Sequence, residues 1–240
     1  MSVPRPRLGK SDEQPNVRPK AQTKKKTTTT TRAFGGLGAA PKPKLHKEYT
    51  QFRRFYDRGD LPLSRNYGED QGPIHWKVSP DLLDYHHYLP LFFDGLRETE
   101  EPYWFFAYYG TLDLIAQGPS KILPVVPQLV IPLKKDLNTR EPEILCRCMA
   151  VIQALVKADP LISEALVPYY RQILPVFNEF KSANVNIGDH IEYGQRKHTN
   201  LSDLIYETLE EMEKTGGPEA FINIKYMIPT YQSSVVGGGA

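Results

Sequence analysis

Asp84-Tyr85-His86-His87-Tyr88 is the most reactive-looking string in the chain. A helical metal site needs ligands on one face, three or four residues apart, and Asp84 and His87 meet that spacing. Adjacent His86 and His87 diverge by about 100° on a helix, and no third ligand stands nearby in sequence. A packed helix face, with His86 in the core and His87 at the surface, accounts for the same residues. Cys146 and Cys148 lie two apart. A helix turns such a pair away from each other, so they predict neither a disulfide nor a zinc knuckle, and are expected to be plain thiols. Phosphate loop, dinucleotide fingerprint and nucleophile motif are not found. No cofactor, metal site or catalytic group is expected.

Two features point to binding rather than catalysis. His75-Trp76-Lys77, with Asp81 close behind, puts an indole among charged neighbours in a proline- and glycine-flanked stretch. Trp76 is either an anchor for a partner protein or a staple folded onto the following helix. The second feature is charge. Residues 1–50 carry 12 Lys+Arg against three acids, a net +9, whereas residues 51–240 carry a net −7. A basic arm precedes an acidic body, which argues against nucleic-acid binding by the body. Arg5, Arg7, Arg18, Lys20, Lys24, Lys25, Lys26, Arg32, Lys42 and Lys44 are the arm's candidate contacts to a polyanion. A solubilising tail is the competing reading. Each contact contributes only about 0.3–1 kcal/mol, so binding would need many of them and would weaken with salt.

The elements that must carry these residues are helical. Residues 1–47 offer little to bury and are expected to form an extended, disordered tail, 48–232 the folded domain, and 233–240 a disordered end. Phe52, Phe55 and Tyr56 mark one side of a short helix stopped by Gly59. Residues 61–78 read as irregular. Ser79-Pro80-Asp81 signals a helix start, with Pro90 expected to kink or split the helix that follows. A short helix over 103–109 is capped by Gly110, and another covers 112–117. Helices follow over 120–137, 141–157 and 165–181. Leu201, Leu204, Ile205, Leu209 and Met212 line one face of a last long helix, with Glu207, Glu210, Glu211 and Glu213 opposite. No strand is expected. The apolar stretches are too short or too proline-broken to predict a membrane span, and no secretory leader is expected, so a reducing intracellular setting is expected. Leu123-Pro124 with Gln128-Leu129-Val130 recurs 44 residues later as Val167-Pro168 with Gln172-Ile173-Leu174. That period is the one of HEAT and armadillo repeats. The expected fold is therefore all-α, a short armadillo/HEAT-like α-solenoid with a basic tail.

Five strings together resemble one family. They are Phe52-Arg53-Arg54-Phe55-Tyr56-Asp57-Arg58-Gly59-Asp60, the run from Leu83-Asp84-Tyr85-His86-His87-Tyr88 to Phe93-Asp94-Gly95-Leu96, the proline-rich stretch 121–134, residues 165–181, and Ala220-Phe221-Ile222-Asn223-Ile224-Lys225-Tyr226. The chain resembles the Parkin co-regulated gene protein family from about Tyr49 to Tyr231. The resemblance implies an armadillo-like fold without enzymatic activity. It implies a place in the axoneme of cilia and flagella, at the inner junction where the B-tubule closes onto the A-tubule. Implied partners are α/β-tubulin, a small β-sandwich junction protein and other axonemal microtubule proteins; neither nucleic acid nor membrane is implied. Some family members also bind a small sperm-assembly protein through positions matched by His75, Trp76, Lys77 and Asp81, where Asp81 is shorter than the expected glutamate. A helical-repeat adaptor acting outside the axoneme and a metal enzyme using Asp84 and His87 are the rival readings.

Overall fold

A computed structural model describes residues 49–65, 74–181 and 201–233. Ten helices fall in this region, and seven of them build two layers. The first layer stacks α2 (Tyr85–Asp94), α5 (Val126–Leu137), α8 (Tyr170–Phe180) and α10 (Ala220–Met227). The second stacks α3 (Tyr103–Gln117), α6 (Pro142–Ala158) and α9 (Leu201–Thr215). Each first-layer helix also packs on the helix that follows it, α2 on α3, α5 on α6 and α8 on α9. α1 (Gln51–Arg58) closes the N-terminal end against α2 and α3. This is an all-α solenoid, and its core is one continuous apolar cluster running from Phe52 to Tyr231.

Proline punctuates the repeat. Gly118-Pro119 opens α4 (Pro119–Ile122), a 3₁₀ turn at Leu123–Val125 follows, and then α5 begins. Asp159-Pro160 opens α7 (Pro160–Leu166), a 3₁₀ turn at Val167–Tyr169 follows, and then α8 begins. The 44-residue sequence repeat is therefore a structural one. Pro124 and Pro168 sit where a missing N–H does least harm, at the first turn of a new segment. Leu129 and Ile173 occupy equivalent buried places, while Gln128 and Gln172 are both exposed. The expected single helix over 120–137 is divided at this turn. The α6 helix runs from Pro142 to Ala158 as its apolar spacing predicts, and buries Ile144, Leu145, Cys148, Val151, Ile152 and Leu155.

Thr50 and Gly59 account for α1. Thr50 Oγ1 accepts from the Arg53 N–H at 3.0 Å, and Gly59 ends the helix in the left-handed region at φ 76°. The Asp94 and Glu98 carboxylates accept from the first backbone N–H groups, from Gln51 N at 2.7 Å and Thr50 N at 3.4 Å. Negative charge at this end also suits the helix dipole.

Three local expectations are overturned, and a fourth in part. Residues 63–65 and 74–76 are not irregular: β1 (Leu63–Arg65) pairs antiparallel with β2 (Ile74–Trp76), in register Leu63–Trp76, Ser64–His75 and Arg65–Ile74. Three-residue strands are too short to declare a period in sequence. Ser79-Pro80-Asp81 starts only a 3₁₀ turn, Pro80–Leu82; Leu83 is extended, and the helix restarts with Asp84 as its cap, its carboxylate accepting from His86 N at 3.0 Å. Of the kink or split expected at Pro90, the split does not occur: α2 runs as one helix from Tyr85 to Asp94. Gly110 does not cap a helix. α3 runs straight through it, because Phe92 needs the space: a Cβ on Gly110 would stand 2.2 Å from Phe92 Cε1.

Candidate functional surface

The β1–β2 ribbon fixes the predicted partner surface. Trp76 is half-buried and lies over the helical stack, with its ring centroid 5.8 Å from that of Phe92. Its indole Nε1–H donates to Asp113 Oδ2 at 2.9 Å, so α3 orients the ring. The staple reading of Trp76 thus describes its packing. His75, Lys77 and Asp81 are exposed around it. The Lys77 N–H donates to Pro62 O at 2.9 Å, which ties the strand end to the ribbon's other arm. The Asp81 backbone carbonyl accepts from Lys121 Nζ, while Ser79 Oγ donates to the Asp81 carboxylate. One indole edge, one imidazole and one ammonium group therefore share a rigid rim.

Below the rim, Tyr85 is buried and donates to Leu114 O at 2.8 Å. Burial raises its phenol to about 12, with the Asp81 charge adding to the effect. The Tyr85 hydroxyl fills the space a Gly118 side chain would take, at 2.2 Å from an added Cβ. Sequence reasoning put His86 in the core; Tyr85 holds that place instead. His86 is exposed, with Nδ1 3.3 Å from Gln128 Nε2. His87 is exposed and lies edge-on to Tyr88, 5.0 Å away, and beside Phe55 at 5.5 Å. Asp84 is spent as a helix cap. No group of three or more metal-ligating side chains occurs among the described residues.

A charge ladder, buried at its Arg97–Asp136 rung and solvent-facing at Arg140–Glu179, was missed by sequence reasoning. Arg97, at the end of α2's 3₁₀ extension (Gly95–Arg97), reaches Asp94 and also Asp136 of α5, with Nη1 to Asp136 Oδ1 at 3.6 Å. One repeat later Arg140 pairs with Glu179 of α8 at 2.7 Å. The acids at 94, 136 and 179 stand 42 and 43 residues apart, each closing a first-layer helix. An acid followed by an arginine three or four residues on, at this interval, was the available signal. Each arginine bridges to the acid of the next repeat and so fixes the stagger between repeats. Asp136 is fully buried, and desolvation holds its carboxyl well above the usual range, with Arg97 pulling it back down. Glu213 is a related miss. It was expected on the outer face of α9, yet it is buried and accepts from the Tyr231 hydroxyl at 2.7 Å.

The cysteines are thiols without a bridge. Burial raises Cys146 to about 11 and holds Cys148 well above the usual thiol range, which keeps both as neutral thiols at neutral pH. A 350 Å³ groove lies along α1, α2 and α5, lined by Phe55, His87, Pro90, Gln128 and Ile131 among others. Among the described residues no single helix is long and apolar enough to cross a membrane; α3 together with 119–137 passes that test only as a pair bent by 105°. The arm residues Arg5, Arg7, Arg18, Lys20, Lys24, Lys25, Lys26, Arg32, Lys42 and Lys44 lie outside the described residues.

Comparison with known proteins agrees with the residue patterns. The family model described as Parkin co-regulated protein matches residues 50–233, which takes in every helix described above. A mouse (Mus musculus) protein, the Parkin coregulated gene protein homolog, is 54% identical over 187 residues, covering 78% of this chain and 78% of its own length. With the ladder, the ribbon and the proline-punctuated repeats all inside the matched span, the chain belongs to the Parkin co-regulated protein family.

Proposed function

We propose that this chain is a structural, non-catalytic microtubule-binding protein of the ciliary and flagellar doublet. It acts at the inner junction, linking the B-tubule to the A-tubule. The single observation that carries the mechanism is the charge split, +9 over residues 1–50 and −7 over the rest. Tubulin surfaces are acidic. They attract the arm and repel the body, so the arm supplies attachment and the body supplies spacing and shape. The Arg97 and Arg140 bridges stiffen the body against shear between repeats, as a part repeated along a lattice requires. A β-sandwich junction partner would meet the body, and many copies along one filament make weak single contacts effective.

Co-sedimentation with microtubules tests this reading. The full chain should pellet in a salt-sensitive manner, and a chain beginning at Lys47 should pellet at least about tenfold less, the equivalent of about 1.4 kcal/mol. Equal binding by both would remove the arm from the mechanism. Absence of binding by the full chain at low salt would end the tubulin reading.

A further inference from the structure

The first layer of the solenoid ends on an uncovered helix. α2 is covered by α5, α5 by α8 and α8 by α10. α10 packs on α8 as α8 packs on α5, and Gly217-Pro218 precedes it directly, without the short helix and 3₁₀ turn that separate Gly118-Pro119 from α5 and Asp159-Pro160 from α8. α10 is thus the first-layer helix of a further repeat. Its inner side is buried through Ala220 and Ile224. Its outer side carries Ile222, 67% exposed, and Tyr226, 75% exposed, one helical turn apart. Nowhere else among the described helices are two large apolar side chains this exposed a turn apart.

Charge around this pair is polar along the helix. Arg171 lies over the Tyr226 ring at 5.9 Å, Lys225 is the next residue, and Lys181 reaches Thr230 just beyond. At the opposite end, Glu164 and Glu219 line a 470 Å³ pocket with Val167, Pro168, Gly216 and Asn223. The pocket thus lies at the acidic start of α10, with Glu219 and Asn223 of that end on its wall. A helix laid parallel to α10 would set the positive end of its dipole at Glu164 and Glu219, and its negative end at Arg171, Lys181 and Lys225. That is also the sense in which α8 and α10 follow each other, with Arg171 at Tyr226 and Lys181 at Thr230.

We propose that the exposed face of α10 is a docking surface for an amphipathic helix of a partner protein. The partner stacks as the next first-layer helix would. Its apolar stripe covers Ile222 and Tyr226, and acidic side chains in its C-terminal half meet Arg171, Lys181 and Lys225. Continuity with the helix-on-helix interface of the three preceding pairs fixes the kind of partner, and the charge polarity fixes its direction. The proposal uses no residue of the basic arm, so its test involves no tubulin.

Two stapled helical peptides of α8's length, 11 residues, make the test. Both carry the same leucine stripe. One has Lys in its N-terminal half and Glu in its C-terminal half; the other has these exchanged. Anisotropy against the full chain should show the first peptide binding at least about tenfold tighter than the second. Ile222→Ala with Tyr226→Ala should abolish binding while the helical circular dichroism stays unchanged, and Arg171→Glu with Lys225→Glu should reverse the preference. Equal binding of the two peptides, no saturable binding below about 1 mM, or binding that survives Ile222→Ala with Tyr226→Ala would overturn the proposal. So would a dimer in sedimentation that the same double substitution dissolves, because the occupant would then be a second copy of this chain.

Discussion

Replacing Arg97 by methionine tests whether the charge ladder holds the repeats in register. The substitution keeps most of the side-chain volume and removes the cation between Asp94 and Asp136. At 3.6 Å the Arg97–Asp136 attraction is about 5 kcal/mol for an effective dielectric of ~20. Removing one partner of such a buried pair costs about 3–5 kcal/mol, since the other charge is left stranded. Asp136 escapes part of that cost by taking a proton. Its carboxyl is already held above its unfolded value of 3.8 by burial, and losing Arg97 raises it further. A carboxyl raised on folding favours the native state below the unfolded value and disfavours it as pH climbs toward the folded one. The gap between Arg97→Met and the parent should therefore be small near pH 4 and widen as pH rises to 8. Urea denaturation at pH 4, 6 and 8 measures it. Arg97→Met combined with Asp136→Leu should recover much of the loss at pH 8, because no stranded charge remains. A penalty under about 1 kcal/mol at pH 8, or one that does not grow with pH, would refute the reasoning.

Gly110→Ala should destabilise by about 1–3 kcal/mol through the clash with Phe92, seen as a lower midpoint in thermal unfolding. Trp76→Phe keeps a ring against Phe92 and strands Asp113, so about 1.5–3 kcal/mol should be lost in chemical denaturation. Cys146 and Cys148 should resist iodoacetamide at pH 7.5 in the native chain and react in urea, as mass spectrometry would show.

Helix identity was legible where apolar spacing was long and regular, as in α6, and where a glycine stop was conventional, as at Gly59. The repeat was legible from two proline-led copies, at Pro124 and Pro168. What sequence could not disclose came from tertiary contact. Gly110 looks like a stop signal until Phe92 is seen to occupy its missing side chain's space. Tyr85 and His86 are neighbours, and only the position of the Leu114 carbonyl decides which turns inward. Glu213 looks like one more surface acid, yet Tyr231 closes over it from 18 residues away. Trp76 was readable as important, and its geometry depended on Asp113 across the fold.

The role at the junction is tested most directly by comparing images of intact doublets from flagella with and without this chain. The account predicts loss of a repeated density at the seam between B- and A-tubules, with the seam opening or weakening. Doublets that stay fully sealed and show no missing density would contradict it.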